Sequence, residues 1–419
     1  MIRLEAQDNS GRNNANASTP ADGGMPRIQM YLWDASSTSL TVTAPAGVAG
    51  TYQSGGASFG AKSYNITNSV IPATDAPGPA GSTTDGCEAI TNPAAIAGKI
   101  ALVDRGNCNF SVKAVNVQNA GAVGLLIANT MAGATAFGPG GTDPTVTIGV
   151  QGISYADGVK LRTAAMSGTV TAKMTASYNE RDSSLDGSIV SHEWGHILSN
   201  RLIGNGSGLS ASPGRSMGEG WSDFNAMLMI VRPEDETAPA NANWSGTYST
   251  GAPSVFSAGN NAFFEGIRRY PYSTELTKNP LTFKHMTAGV KLPTSPAPTF
   301  GADGSTNGEV HSSGEVWANM LWECYAALLR DKSRLTFQQA QERMRRYHVA
   351  ALKLTPNNPT FTEARDAMLF AAYSSDRQDY DLFVAAFAKR GMGDGAVASD
   401  PFETDPDPAN GKYATHAGI

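Results

Sequence analysis

The order of its segments predicts an α+β chain, and three observations carry this. The run Arg27-Ile28-Gln29-Met30-Tyr31-Leu32-Trp33 alternates as a strand does. From about 35 to 176, Ser, Thr, Gly, Ala and Val dominate in short β-type runs separated by Gly/Pro turns. Beyond Arg330, Phe337–Leu354, Phe361–Tyr373 and Tyr380–Arg390 carry helical patterns, the last stopping at Gly391.

With 419 residues the chain has room for two or three domains and a sizeable core. Lys and Arg total 31 against 37 Asp and Glu, a net charge of −6 with no basic run, so no nucleic-acid partner is expected. No apolar stretch approaches the roughly 20 residues that span a bilayer, so a soluble chain without a membrane span is expected. Three cysteines are too few for a disulfide scaffold. Cys87 and Cys108 lie close enough to pair in an oxidising compartment. Cys324, amid Val316, Trp317, Met320, Leu321 and Leu328, reads as a buried thiol.

In chain order, Pro20 to Gly24 forms a turn before the first strand. Within the middle segment, Lys99–Val103 and Ala122–Ala128 read as strands around a helix near Ser111–Asn119, and Asp104-Arg105 as a structural turn pair. Chemistry-bearing residues concentrate at 191–223, SHEWGHILSNRLIGNGSGLSASPGRSMGEGWSD. His192 and His196 are four apart and project from one helix face, where two imidazoles can share a metal ion beside Glu193. Asp186 is a plausible N-cap, Ile189, Val190, Ile197, Leu198 and Leu202 supply a buried side, and Gly204 is a plausible stop.

Glu219 and Asp223 are also four apart, on a second apolar stretch that Pro233 ends. Catalytic zinc takes three protein ligands and an open position, and a carboxylate is a usual third ligand. Glu219 suits that place, with Asp223 accepting from a ligand histidine N–H, His192 being the favoured one. Ser216-Met217-Gly218-Glu219 also matches a capping box, which would make Glu219 a helix cap. Two acidic residues at this spacing after H-E-x-x-H favour the metal. A purely structural metal site would ordinarily fill the fourth position with Cys or His, and no Cys lies near.

HEWGH at 192–196, SNRL at 199–202 and SMGEGWSDF at 216–224 resemble the fungalysin family of zinc metallopeptidases, within the wider thermolysin-like group. NNANASTPADG at 13–23, GIRRYPYST at 266–274 and VHSSGEVWANMLWE at 310–323 extend the resemblance in family order. It implies a thermolysin-like zincin and a secreted zinc endopeptidase acting on proteins or peptides. Zinc would be held by His192, His196 and Glu219, with calcium a second candidate cation. Glu193 would be the general base and His311 would donate to the oxyanion. Asn14 and Ala15, on an edge strand beside the cleft, are candidate substrate contacts, as is one of the Arg268-Arg269 pair, Arg269 being favoured. Each also has a structural reading, as a polar turn or as a cation packed on Tyr270. His311 is expected in a tight turn ahead of a helix from about Gly314 to Arg330. No tyrosine lies between His196 and Glu219, so the second oxyanion partner known in thermolysin is left open.

GKIALVDRGNCNFSVKAVNVQNAGAVGLLIANT at 98–130 resembles a protease-associated domain, a small β-rich fold without chemistry of its own that would bind substrate or a partner, or cover the cleft. Because family motifs flank it, it is expected as an insert at 35–176 between peptidase parts at 1–34 and 177–419, with its ends close together. In the resembled family the catalytic domain begins well upstream of the NNAN motif and follows a propeptide. MIRLEAQDNSGRNN lacks the apolar core of a signal peptide. The chain is therefore expected to be a fragment, which admits an alternative function: an inactive zinc-binding or protein-interaction module in which the inserted domain does the work.

Overall fold

The computed structural model describes residues 1–78, 82–255, 262–400 and 414–416. Two compact units emerge, one joining Met1–Trp33 to the chain from Arg181 onward, the other comprising Asp34–Glu180.

In the first unit, Arg27–Met30 is the middle of a three-stranded sheet, parallel to Arg3–Glu5 and antiparallel to Ala15–Ser18. Ile28 and Met30 turn their apolar sides onto Ile189 and Ile197 of the helix Gly187–Leu202. That helix starts where the side chain of Asp186 accepts from the N–H groups of Ser188 and Ile189, and it ends before Gly204, whose φ of +62° suits glycine. Ser183 donates from its backbone N–H (3.2 Å) and its Oγ (2.8 Å) to the carbonyl of Tyr31. The chain thus leaves the unit after Trp33 and rejoins it at Arg181 beside a clamp between residues 152 apart in sequence.

The second helix, Ser212–Ile230, begins well before Glu219, which therefore lies two turns inside it and is no cap. The third, Val310–Arg330, begins at Val310, four residues before the expected Gly314, because the Glu309 side chain accepts from the N–H groups of His311 and Ser312. His311 accordingly sits in the helix's first turn rather than in a turn ahead of it.

Glycines let these three helices meet. A Cβ on Gly195 would stand 2.6 Å from Cα of Ser222, and one on Gly220 would stand 2.4 Å from the carbonyl oxygen of Gly314. Close backbone approach needs glycine here, and it brings the faces bearing His192, Glu219 and His311 together. Behind them Trp221, Phe224, Trp317, Trp322 and Tyr325 fill one core, Trp221 and Trp317 meeting edge to face at 6.0 Å. Cys324 is buried in it with a free thiol. Helices Phe337–Leu354, Phe361–Tyr373 and Arg377–Lys389 complete the unit. The last starts three residues before the expected Tyr380, because Asp376 caps the N–H groups of Gln378 and Asp379.

The second unit carries an eight-stranded sheet in the order Gly50–Tyr52, Leu32–Ala44, Val170–Asp182, Tyr64–Pro72, Ile100–Asp104, Gly124–Ala128, Gly149–Ile153, Ser54–Gly56. The strands from Tyr64–Pro72 to Gly149–Ile153 run parallel. Apolar clusters cover both faces, which is why Ile100–Val103 and Leu125–Ile127 read as unbroken apolar runs. Helices span Phe110–Asn119 and Tyr155–Ser167. Asp104 pairs with Arg162 at 2.7 Å, and Cys87 is bonded to Cys108. The strand Val170–Asp182 runs unbroken past the expected boundary at 176, so the compact unit extends to Glu180.

Candidate metal centre

One helical turn separates His192 from His196, and their Nε2 atoms lie 3.0 Å apart. Glu219 meets both from the second helix, with Oε2 3.3 Å from His192 Nε2 and Oε1 3.5 Å from His196 Nε2. Tetrahedral zinc with bonds of about 2.05 Å sets its ligand atoms roughly 3.3 Å apart, so the three donors already stand at ligand spacing. Glu219 Oε2 and Glu193 Oε2 are buried without a hydrogen-bond partner among the described residues, as oxygens awaiting a cation and a proton would be. The donor set fits a metal ion.

Asp223 holds the first ligand, its Oδ1 2.7 Å from His192 Nδ1, so that Nε2 is the nitrogen turned toward Glu219. The carboxylate is itself fixed. Arg268 donates to it twice, from Nε (2.5 Å) and NH2 (2.9 Å), and the Tyr272 hydroxyl donates to Oδ2. Burial would raise the pKa of Asp223, but Arg268 and His192 overcome it and hold it well down. Burial likewise opposes charge on His192, yet Asp223 and Glu219 pull its pKa up to about 10. The pocket is thus electrostatically prepared for positive charge. Glu219 is held well below its usual range by His196 and His192, against burial. Burial pushes Glu193 the other way, raising its pKa as a proton acceptor requires.

Across the cleft, His311 Nε2 lies 3.4 Å from Glu219 Oε2, and its Nδ1 lies 2.7 Å from Glu309 Oε1. Burial disfavours the imidazolium, but Glu309 and Glu219 raise the His311 pKa on balance. The cleft of about 320 Å³ is lined by Asn14, Ala15, Trp33, Glu193, Arg268 and Thr250 among others. Ala15–Ser18 is the outer strand of its sheet, so its free edge borders that space.

The favoured substrate arginine needs correction. Arg269 is fully buried, where its Nε meets Glu315, NH1 reaches Asn307 at 2.7 Å and NH2 reaches the Ser312 carbonyl at 2.7 Å. It braces the third helix and cannot reach substrate. Arg268 lines the cleft instead, the adjacent residue being turned to the opposite side of the chain. Glu309 and Tyr272 were not singled out from the sequence. Glu309 had a legible signal, an acidic side chain directly before a helix start and two residues from His311. Tyr272 had none, because its role depends on the fold of a loop.

Two histidines and a glutamate stand at ligand spacing, with the buried Glu193 Oε2 beside them lacking a hydrogen-bond partner among the described residues. The fungalysin metallopeptidase model matches residues 1–396, and the chain belongs to that family, which implies a metal. It is 36% identical over 240 residues to the extracellular metalloproteinase mep of Aspergillus fumigatus, covering 54% of this chain and 33% of that protein. It is 36% identical over 233 residues to the extracellular metalloproteinase MEP of Pyricularia oryzae, covering 52% and 32%. The chain therefore spans about a third of the length of the curated relatives it matches. A solved zinc aminopeptidase, BSAP from Bacillus subtilis, aligns with a TM-score of 0.27 at 20% identity over 40% of this chain and 35% of its own, a likeness too slight to carry an argument.

Proposed function

We propose that this chain is a secreted zinc endopeptidase that hydrolyses peptide bonds in proteins. The observation that carries the reading is the convergence of His192, His196 and Glu219 donor atoms within 4.8 Å of one another, beside the buried Glu193 Oε2 that lacks a hydrogen-bond partner among the described residues. Zinc bound there would supply a Lewis acid that acidifies water and polarises the scissile carbonyl. The chain's own residues do the rest. Glu193, raised in pKa by burial, accepts the water's proton and returns it to the departing amine. His311, held by Glu309, donates from Nε2 to the oxygen that becomes negative as the carbonyl is attacked. Asp223 keeps His192 in the ligand tautomer, and Arg268 keeps Asp223 in place. The free edge of Ala15–Ser18, beginning beside Asn14, accepts an extended substrate backbone as an added strand.

The unit Asp34–Glu180 is read as a protease-associated domain that binds a protein substrate or partner and takes no part in catalysis. Its parallel strands, two longer helices and Cys87–Cys108 bond support this. Extracellular use accords with the disulfide and with the relatives' names.

The deciding experiment is hydrolysis of an unfolded protein by this chain with one equivalent of zinc, with Glu193→Gln in parallel. Cleavage by the wild type and none by the variant, both retaining zinc, is the expected outcome. A folded, zinc-loaded wild type without turnover would instead identify a binding module.

A further inference from the structure

The second unit contains another group of convergent carboxylates, remote in sequence from the peptidase residues. Asp75, Asp85 and Glu88 each present an oxygen within 4.8 Å of the other two. Asp75 and Asp85 are buried, at 3% and 4% exposure. One Asp75 oxygen accepts from the Glu88 N–H at 3.3 Å, while the other, Oδ1, is buried with no hydrogen-bond partner among the described residues. A buried carboxylate oxygen left bare beside two further carboxylates is expensive unless a cation joins it.

The buried lysine beside this group does not fill that place. Lys113 is fully buried, but its ammonium donates to the Asp85 carbonyl oxygen at 2.6 Å and lies 3.1 Å from Cys87 Sγ, facing backbone and sulfur. One ammonium against three carboxylates leaves two negative charges over. Burial and the charges of Asp85 and Asp75 accordingly raise the pKa of Glu88. The backbone is shaped around the carboxylates as well. A Cβ on Gly106 would stand 2.3 Å from Asp85 Oδ2, and one on Gly78 2.1 Å from Glu88 Oε1, so both positions admit only glycine while these carboxylates keep their places.

We propose that Asp75, Asp85 and Glu88 bind a calcium ion that stabilises the loop closed by the Cys87–Cys108 bond. The donors are all oxygen, which selects a hard cation over zinc. Calcium takes oxygen ligands at about 2.4 Å in a flexible geometry and accepts carboxylates directly, whereas magnesium demands a near-ideal octahedron and gives up its water reluctantly. The ion neutralises the excess charge and gives Asp75 Oδ1 a partner. Cys87 lies between two of the ligands in sequence, so the ion and the disulfide secure the same turn.

The test is the rate at which a phosphine reductant opens Cys87–Cys108 in the full, zinc-loaded chain, with and without added calcium. Calcium at about ten times its Kd should slow reduction about tenfold, because only the calcium-free form opens. Asp75→Asn and Glu88→Gln should each abolish that slowing, and without calcium each should be reduced no faster than wild type, having lost carboxylate repulsion. Calcium slowing both variants as much as wild type would overturn the proposal by placing its action elsewhere. No slowing of the wild type would overturn it too, identifying a carboxyl–carboxylate pair that shares a proton.

Discussion

Gly195→Ala should separate the packing of the zinc helix from its chemistry. The new Cβ would stand 2.6 Å from Cα of Ser222, where carbon atoms prefer roughly 3.5–4.0 Å. About 1 Å of overlap falls on backbone, which no rotamer change relieves. Overpacking of this kind costs roughly 1–3 kcal/mol, against a gain of up to about 1 kcal/mol for alanine over glycine within a helix. The net expectation is a loss of up to about 3 kcal/mol. Gly187 supplies the control, since it lies in the same helix, is exposed and would place its Cβ in open space. Gly187→Ala should be neutral or stabilising by a few tenths of a kcal/mol up to about 1 kcal/mol. Metal binding distinguishes the two further, because a shift of about 1 Å between helices exceeds the ±0.2 Å that metal–ligand distances tolerate. Urea unfolding and zinc competition against a chromophoric chelator would measure both effects. Gly195→Ala matching Gly187→Ala in stability and in zinc affinity would refute the claim that this close approach positions His192 and His196 against Glu219.

Asp223→Ala should weaken zinc binding by about 10–100-fold and destabilise the fold besides, since Arg268 is left buried without its carboxylate partner; equal zinc affinity in the same competition assay would remove its orienting role. His311→Ala should lower kcat by roughly 100–1000-fold with zinc affinity unchanged, and Glu309→Gln should lower it less; an unaltered kcat for His311→Ala would exclude the oxyanion role. His348 is buried against Phe224, and burial lowers its pKa from 6.5 to about 4. The unfolded chain therefore takes up a proton that the folded chain refuses, and stability should fall as pH drops from about 6.5 toward 5, by ~1.4 kcal/mol per unit from this residue. His285, lowered to about 4 by burial, acts in the same sense. Chemical denaturation of His348→Phe should show a shallower decline over that window than wild type, and parallel curves would count against the assignment.

The helical and metal-binding parts of this chain were legible because they depend on local periods. The i, i+4 spacing of His192 and His196 survives folding unchanged, and so does that of Glu219 and Asp223. Phe337–Leu354 and Phe361–Tyr373 occupy the residues their patterns indicate, each opened by a threonine cap. Boundaries shifted where a capping carboxylate lay outside the apolar pattern, as Glu309 and Asp376 do. The choice between Arg268 and Arg269 was not legible. Neighbouring residues in a loop point apart, and which one faces Asp223 rather than Glu315 depends on contacts 45 and 46 residues away in sequence. The loop carboxylates Asp75, Asp85 and Glu88 were invisible for a related reason. Their convergence rests on strand register and on a turn, with no period to advertise it.

The clamp between Ser183 and the Tyr31 carbonyl has an architectural consequence. It lies within the first unit and secures the departing and returning chain where the second unit begins and ends. A polymer loop tethered at a fixed gap resists lengthening only weakly, each doubling of its length costing about 0.6 kcal/mol. The junction therefore works like a socket, indifferent to the size of what is plugged into it. A lineage can enlarge, exchange or shed what lies between these residues while the helices bearing His192, Glu219 and His311 keep their own scaffold, so the two units are free to diverge at separate rates.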